Sequence, residues 1–309
     1  MFNTPIIFLT YKRPKETKGI LNILTKINPK KLYIFQDGVK KNFTEIEKKN
    51  HHETTDVIKK FNKIKSKKKI YKKNLGQKII GYKMLKIVFN YEDRCIILED
   101  DCIPEIGFFK YCDLMLKKYK NDSTVAHVSG CNLYYGVFKK KIDNKDYFFS
   151  KYPHFMGWAT WKNRWQKYYD PNIEDWPKNK KNFLNKTNLK RGEKNFFKFY
   201  LDKIYKDKKL SIWDTQWAYY NLLHDLKTIV PGVNLIRNVG FHNAPTGQSA
   251  KKFRNLFTKN IKFPLKASNK RDFHFKYDNF LYESFYNRKL LFNRVINKLK
   301  LKLKYLLPV

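Results

Sequence analysis

The chain has 309 residues, of which 17% are aromatic, and its 66 basic and 27 acidic residues give a formal charge of +39. The length and aromatic content indicate a folded chain with a large core and exclude general disorder. The charge leaves nucleic acid, an anionic membrane or an anionic substrate open as partners, and a solvated lysine-rich surface would give the same charge.

Apolar strand-like runs alternate with helical stretches through the first part of the chain. The predicted strands are Ile6–Thr10, Leu32–Gln36, Lys69–Lys72, Cys95–Leu98 and Val125–Ser129. The predicted helical stretches are Pro14–Ile27, Thr44–Phe61, Gln77–Asn90 and Ile106–Tyr119. This alternation predicts an α/β fold with a mostly parallel, Rossmann-like sheet.

The cysteines and the N-terminus bear on the compartment. Cys95, Cys102, Cys112 and Cys131 lie in one short window without a CxxC pair or zinc-ligand spacing. We predict buried, reduced thiols in a cytoplasmic protein. The strand-like run starts at Pro5 without a basic leader, which predicts no signal peptide, and no apolar run reaches the ~20 residues that span a bilayer.

Three acidic residues, Glu99, Asp100 and Asp101, directly follow the apolar run Cys95–Leu98. Clustered like charges raise each other's pKa unless a cation sits between them. The carboxyl end of a buried parallel strand is where an open α/β sheet binds its ligand. The cluster therefore predicts a hard cation, Mn²⁺ or Mg²⁺, that also binds a diphosphate. The alternative is a solvated acidic turn.

A family resemblance rests on four runs in order, FLTYKRP, IFQDG, NLGQKIIG and IILEDDC. They resemble the nucleotide-binding half of family 2-like bacterial glycosyltransferases with the glycosyltransferase-A fold. They are also similar to N-acetylglucosaminyltransferases whose metal-binding acidic motif is Glu-Asp-Asp. Three later runs extend the resemblance over about residues 5–245: HFMGWATWKNRW, SIWDTQW and VNLIRNVGF.

The resemblance implies nucleotide-binding roles for residues at strand ends and before the third helix, namely Thr10, Tyr11, Arg13, Asp37, Gly76 and Lys78. The first three would hold the base and phosphates, and Asp37 would accept a hydrogen bond from the base or ribose. Gly76 would let the backbone approach the nucleotide, and Lys78 would meet a phosphate. The alternatives are an ordinary Asp-Gly turn and a solvated lysine.

The resemblance also implies the metal site. Asp101 would coordinate the metal, while Glu99 and Asp100 would contact ribose or sugar hydroxyls or bind the metal through water. The metal would act as a Lewis acid toward the departing nucleoside diphosphate. His242 is the candidate further ligand, although such relatives more usually carry a Thr-His pair slightly later in the chain. A structural histidine is the alternative.

Asp214 is the candidate general base of an inverting transfer. Such a base must reach the acceptor hydroxyl, and Trp213 and Trp217 on either side would desolvate Asp214 and raise its pKa. The spacing is similar to the base region of the Glu-Asp-Asp enzymes. Alternatively, Asp214 caps the following helix. Asp175 is the second candidate for the base.

The remaining predictions concern tryptophans of the second part of the chain and two histidines of the first part. The Gly157-Trp158 pair resembles a loop that lines the sugar pocket of some transferases, because an aromatic face suits the C–H face of a sugar. Trp161 and Trp165 lie four residues apart, which favours core packing. His51 and His52, in a polar helical stretch, are predicted at the surface.

The domain prediction follows these assignments. Residues 1–250 form the catalytic domain, with a nucleotide-binding half at 1–130 and an aromatic-rich acceptor half at 131–250. Residues 251–309 form a basic extension with a C-terminal helical tail. In that tail Leu291, Val295 and Leu299 form an apolar stripe beside basic flanks, typical of a helix on an anionic membrane or, alternatively, of a helix docked on the domain.

Together these features predict a cytoplasmic, membrane-peripheral, metal-dependent glycosyltransferase. It would move a sugar from a nucleoside diphosphate donor, with UDP-sugar favoured, to a surface glycan such as lipopolysaccharide, capsule or another lipid-linked glycan. The same-fold alternatives are a retaining transferase and a sugar nucleotidyltransferase. A non-catalytic basic nucleic-acid-binding protein is the alternative from another class, but the sequence lacks a clustered Arg and aromatic platform, so no nucleic acid partner is predicted.

Overall fold

An eight-stranded mixed sheet runs through the protein, with a two-stranded ribbon beside it. The computed structural model describes residues 1–186, 188–240, 252–266 and 272–287. The strands are β1 Ile6–Thr10, β2 Leu32–Gln36, β3 Ser66–Ile70, β4 Arg94–Glu99, β5 Cys102–Pro104, β6 Val125–Ser129, β7 Tyr147–Ser150, β8 Trp158–Trp161, β9 Lys227–Pro231 and β10 Ile236–Asn238. The sheet order is β3-β2-β1-β4-β8-β6-β9-β7, and β5 pairs with β10.

The sheet is parallel in its first half and mixed in its second. Strands β3, β2, β1 and β4 pair in parallel, as the alternation of elements predicts. Strand β8 inserts antiparallel between β4 and β6, and β7 pairs antiparallel with β9. The fold class α/β is therefore confirmed, but the sheet as a whole is mixed.

The helices of the first half agree with the predicted stretches to within two residues. These four are α1 Pro14–Ile27, α2 Glu45–Lys60, α3 Gln77–Val88 and α4 Gly107–Lys118. The later helices in the described residues are α5 Leu133–Phe138, α6 Lys162–Tyr168, α7 Trp176–Asn185, α8 Arg191–Lys206, α9 Asp214–Leu223 and α10 Phe275–Leu281, followed by a π-helix Tyr282–Tyr286. Local chemistry sets these ends. Pro14 begins α1, and Thr44 and Glu47 form a capping box at α2.

Both faces of the sheet are covered by helices because side chains alternate along each strand. Ile6 and Phe8 face the core beneath α1, α2 and α4, while Ile7 and Leu9 face α3, α6 and α9. Trp161 packs in the first core and Trp165 in the second, both buried. Their predicted core location is confirmed, although Trp161 ends a strand and does not share a helix with Trp165.

The described parts of the 251–309 extension pack on the acceptor half. Phe253 and Leu256 share a buried cluster with Tyr277, Leu281 and Cys131. All four cysteines are free and buried, as predicted. No helix in the described ranges has the length and apolarity that crossing a bilayer requires. The predicted tail stripe falls at residues 288–309, outside the described residues.

Candidate active site

A cleft of about 320 Å³ opens where β1, β2 and β4 end. Such an edge is where α/β sheets bind ligands, and the volume is within the range of small-molecule sites. The structure brings most of the predicted nucleotide-site residues together in it. Its lining includes Thr10, Tyr11, Arg13, Asp37, Gly76, Glu99, Asp100 and Asp101, together with Lys12, Lys40, Asn74 and Ser211, which the sequence reasoning missed.

Asp100 is buried and holds the loop that follows β1. Its Oδ2 accepts a hydrogen bond from the Tyr11 backbone N–H at 2.7 Å, and its Oδ1 accepts one from the Arg13 guanidinium at 2.5 Å. Burial raises the pKa of Asp100 to about 6 in spite of the Arg13 charge, which acts to lower it. Asp100 therefore positions Arg13. Each of its oxygens keeps one lone pair, so its predicted contact with ribose or sugar hydroxyls, or with a metal through water, stays a prediction.

Asp101 is partly exposed and points into the cleft with unused bonding capacity. Its Oδ2 lies 3.7 Å from the second guanidinium nitrogen of Arg13, and its Oδ1 accepts a weak bond from the Cys102 thiol at 3.2 Å. Its backbone carbonyl accepts from the Val239 N–H at 2.8 Å, next to the β5–β10 ribbon. A Cβ at Gly240 would collide with the Asp101 carboxylate, so a larger residue there would displace the Asp101 side chain.

Glu99 completes a cluster with more acidic groups than paired cations. Burial, together with the charges of Asp101, Asp100 and Asp214, raises the pKa of Glu99 well above its ordinary value. Arg13 forms ion pairs with two members of this cluster, because its guanidinium contacts both Asp100 and Asp101. A protein with a formal charge of +39 thus gathers three acidic side chains at one strand end, at a cost that a bound cation would offset.

Asp37 ends β2 and fixes the neighbouring loop. Its Oδ1 accepts the backbone N–H groups of Gly38 and Leu75 at 2.9 and 2.8 Å. Its Oδ2 accepts the Asn74 amide at 2.9 Å and the Gly76 N–H at 3.0 Å. These four donors fill the four lone-pair sites of a carboxylate, so the predicted acceptance from a base or ribose gives way to a positioning role.

The aromatic wall of the cleft is held by polar contacts. Thr10 donates its hydroxyl to the Phe35 carbonyl at 3.1 Å, and the Tyr11 hydroxyl accepts from the Asn74 amide at 3.1 Å. Burial and the Asp37 charge raise the pKa of Tyr11, so it stays protonated at neutral pH. Lys40 lies with its ammonium 6.0 Å from the Tyr11 ring centroid, where an anionic ligand in the cleft can reach it.

Gly76 and Lys78 lie at the start of α3, and only Gly76 lines the cleft. Gly76 has a positive φ of 78° and lines the cleft, and a Cβ there would lie 2.7 Å from the Ser211 Oγ. Lys78 is buried outside the cleft lining, with its ammonium bonded to the Asn172 side chain and the Lys208 carbonyl. The predicted phosphate contact of Lys78 is therefore corrected, because its donors are used inside the protein.

Asp214 is the first residue of α9 and is exposed; it does not itself line the cleft, but it follows Ser211, which does. Its Oδ1 accepts the Thr215 N–H at 2.7 Å, so it does help to satisfy the helix start, although Trp213 is the N-cap residue. The side chain reaches solvent, yet the protein around it desolvates the carboxyl and raises its pKa; water access screens that effect. Its charge is close enough to Glu99 to raise the Glu99 pKa.

Trp158 is a core residue, which corrects its predicted contact with sugar. It is fully buried and stacks on His127, with ring centroids 4.9 Å apart and planes within 8°. Gly157 has a φ of 60°, and a Cβ there would lie 2.6 Å from Ile236. The glycine thus admits a neighbouring isoleucine and not a ligand, while burial lowers the pKa of His127 to about 3 and keeps it neutral.

Other predicted residues lie elsewhere. The surface prediction is wrong for His51, which is buried with its Nε2 2.7 Å from the Asp37 carbonyl, and right for His52, which is exposed. Asp175 accepts hydrogen bonds from Tyr220 and Asn179, both at 2.7 Å, and does not line the cleft. His242 lies outside the described residues.

A larger cleft of about 510 Å³ lies at the opposite ends of β1 and β4, and Arg94, Lys120 and Arg164 are among its lining residues. Arg164 points most of its donors at backbone carbonyls, including those of Lys120 at 2.8 Å and Asp122 at 3.0 Å. Its guanidinium therefore serves the fold. We assign function to the smaller cleft because it contains the acidic cluster and lies at the carboxyl ends of the parallel strands, where α/β sheets bind ligands.

The donor set of the smaller cleft fits a hard divalent cation. Within the described residues, no three His, Cys, Asp or Glu side chains form a ready metal cage. Mg²⁺ in nucleotide sites, however, usually takes one or two carboxylates, waters and the substrate phosphates. Asp101 offers such a carboxylate, and a bound cation would favour the ionised form of its neighbour Glu99, whose pKa the surrounding protein raises. The oxygen ligands also suit Mn²⁺.

Comparisons with known proteins give weak structural similarity. No family model and no curated protein matches the sequence. The structure of HddC from Yersinia pseudotuberculosis matches 58% of this chain and 86% of its own, at 11% identity and a TM-score of 0.32. Apo mouse xyloside xylosyltransferase 1 matches 72% and 81%, at 7% identity and a TM-score of 0.35. At these scores the similarity does not assign a function, and the assignment rests on the geometry of the cleft.

Proposed function

We propose that the protein is a metal-dependent glycosyltransferase that uses a nucleoside diphosphate sugar, with UDP-sugar the favoured donor. The observation that supports this is the carboxylate cluster at the β4 end, where Asp101 lines the cleft and its oxygens keep lone pairs for a ligand. Basic Lys12, Arg13 and Lys40 line the same cleft. Carboxylates for a cation and cations for phosphates thus meet in a space of nucleotide size.

The proposed roles follow from the contacts. Tyr11 forms the wall against the base, Asp37 fixes the loop that carries Gly76, and Asp100 aims Arg13 at the donor phosphates. Asp101, assisted by Glu99, would hold the divalent cation, which when bound offsets negative charge on the leaving nucleoside diphosphate.

Asp214 is the proposed general base for an acceptor hydroxyl. A base for this task needs a pKa nearer to neutral than a free aspartate has, and the surrounding protein shifts the pKa of Asp214 in that direction. Removal of the acceptor proton by Asp214 would accompany attack from the side opposite the leaving group, which inverts the anomeric centre. A retaining transfer, or nucleotidyl transfer in the same cleft, would not need Asp214 as a base.

We further propose a lipid-linked or other surface glycan as the acceptor and the cytoplasmic face of a membrane as the site of action. Residues 288–309 carry seven basic residues and no acidic ones, which suits an anionic leaflet. Nucleic acid is not a proposed partner, because the sequence lacks a clustered Arg and aromatic platform and the cleft's acidic cluster would repel phosphates when no metal is bound.

Isothermal titration of UDP, with and without Mn²⁺, tests the donor site. We expect Mn²⁺-dependent binding that is lost in Asp101→Ala and retained in the control Asp56→Ala, an exposed aspartate on α2. Failure of the wild type to bind UDP or any other nucleoside diphosphate would refute the proposal. Binding that Asp101→Ala leaves intact would refute the metal-ligand role and leave the nucleotide site standing.

A further inference from the structure

An exposed aromatic and lysine surface lies on the acceptor half, formed by Tyr134, Phe138, Phe257, Phe280, Lys139, Lys140 and Lys252; we call it the Phe138 surface. Phe138 is 51% exposed and Phe257 is 41% exposed. The Phe138 and Phe280 ring centroids are 5.7 Å apart, and those of Tyr134 and Phe138 are 4.7 Å apart. Such grouped exposure of large apolar side chains marks an interaction site.

Lysines surround these rings. The Lys252 ammonium lies 4.3 Å from the Phe280 ring centroid, and the Lys139 ammonium lies 5.6 Å from that of Phe257. Lys139 and Lys140 are exposed directly after α5, where Lys139 adopts a left-handed conformation with a φ of 56°. The surface thus combines rings that can enter an apolar layer with cations that can stay at its charged boundary.

Nearby acidic groups are already engaged. Asp146 forms an ion pair with Lys141 at 2.7 Å, and Asp143 lies 3.1 Å from the His274 ring nitrogen. Positive charge from Lys139 and Lys140 is therefore left to attract an anionic partner.

We propose that the Phe138 surface docks on an anionic lipid bilayer. Aromatic side chains settle at the headgroup level, and lysines beside them gain from anionic headgroups. The rings meet at steep angles, 65° between Phe138 and Phe280 and 82° between Tyr134 and Phe280, so they do not offer the parallel faces on which bases stack.

The segment that leads into the C-terminal sequence lies close to the Phe138 surface, which also favours an anionic bilayer as its partner. Phe285 in the π-helix stacks on Phe253, with ring centroids 5.1 Å apart, and Phe253 is next to Lys252. The described chain ends two residues later, at Asn287. The sequence that follows, residues 288–309, is basic and leucine-rich, a composition that also suits an anionic bilayer.

Vesicle co-sedimentation of the full chain tests the proposal. We expect binding to phosphatidylcholine vesicles that contain phosphatidylglycerol, and much weaker binding to phosphatidylcholine alone. Phe138→Ser should lower the partition coefficient about tenfold, because it removes a large apolar side chain from the interface. Phe199→Ser, which changes a phenylalanine of similar exposure (55%) on α8, should leave it unchanged.

A second variant guards against misfolding of the first. Lys139→Gln with Lys140→Gln changes two exposed residues and should weaken binding about fivefold per lysine on anionic vesicles. Equal losses in Phe138→Ser and Phe199→Ser, no loss in either variant of the Phe138 surface, or capture of RNA in place of vesicles would each overturn the proposal. UDP titration of Phe138→Ser should match the wild type, which keeps this test separate from that of the nucleotide site.

Discussion

Two carboxylate clusters in this molecule have opposite designs. The cleft cluster, Glu99, Asp100, Asp101 and Asp214, opens to solvent and pairs with Arg13. The second, which we call the Glu193 cluster, is closed and comprises Glu193, Asp278, Tyr152, Lys151 and Ser150. Glu193 is fully buried; it accepts the Tyr152 hydroxyl at 2.5 Å and pairs with the Lys151 ammonium at 2.7 Å.

The difference separates ligand binding from fold stabilisation. In the Glu193 cluster, Asp278 accepts the Ser150 hydroxyl at 2.5 Å and the Lys151 N–H at 3.3 Å, which ties α10 to β7. Its carboxylates face donors from the protein itself. In the cleft, Asp101 keeps oxygen capacity that only a ligand would use. Unused capacity at an accessible position, and not the number of carboxylates, indicates function.

The largest expected effect is the loss of kcat when Asp214, a member of the cleft cluster, is replaced. Asp214→Asn should lower kcat about 10³-fold, because general-base catalysis is lost, while UDP affinity stays unchanged. Steady-state kinetics with the active donor and acceptor measure this. Asp175→Asn, a change to the other sequence candidate, should retain kcat. An unchanged kcat in Asp214→Asn would assign the chemistry to a retaining or nucleotidyl-transfer mechanism.

The next effect is on stability through the Glu193 cluster. Glu193→Ala should lower the free energy of unfolding by about 3 kcal/mol, because it leaves Lys151 partly buried without its partner and the Tyr152 hydroxyl without its acceptor. Urea unfolding measures this change. The exposed Glu53→Ala on α2 should change the stability by about 0.5 kcal/mol or less. A stable Glu193→Ala protein without nucleotide binding would reverse the assignment of the two clusters.

The smallest effect is a pH dependence at Asp278. Burial raises the pKa of Asp278 to about 6, despite hydrogen bonds from Ser150 and Lys151 that lower it. The folded state thus binds this proton more tightly than the unfolded state, where the pKa is about 4. Its contribution to stability is full below about pH 4 and disappears as the pH rises through about 6, a change of roughly 2–3 kcal/mol. Asp278→Asn should reduce that slope in thermal unfolding series. An identical slope would show that other groups control it.

The sequence predicted the nucleotide half more closely than the acceptor half. β1 and β2 match their predicted bounds because both are short apolar runs with clear ends: Tyr11-Lys12-Arg13 follows β1, and the turn residues Asp37-Gly38 follow β2. β3 begins at Ser66, three residues early, because its lysine-rich edge strand has no apolar pattern. The reversal of β8 depends on strand pairing beyond any local window.

The candidate site divides in the same way. The positions of Glu99 and Asp101 followed from strand and charge pattern. Trp158 was placed in the sugar pocket because a short motif does not distinguish a residue that lines a cavity from one stacked on a buried histidine. The predictions for Lys78 and His51 are wrong for a related reason: each side chain bonds to a backbone carbonyl outside its own local stretch, that of Lys208 for Lys78 and that of Asp37 for His51.

The four hydrogen bonds to Asp37 have a consequence for the thermodynamics of binding. The loop at Asn74, Leu75 and Gly76 is held in place before any ligand arrives. Ordering a loop on binding costs conformational entropy, which opposes affinity. Here that entropy is lost when the chain folds, so this wall of the cleft is preorganised and adds little entropic cost to the capture of a nucleotide.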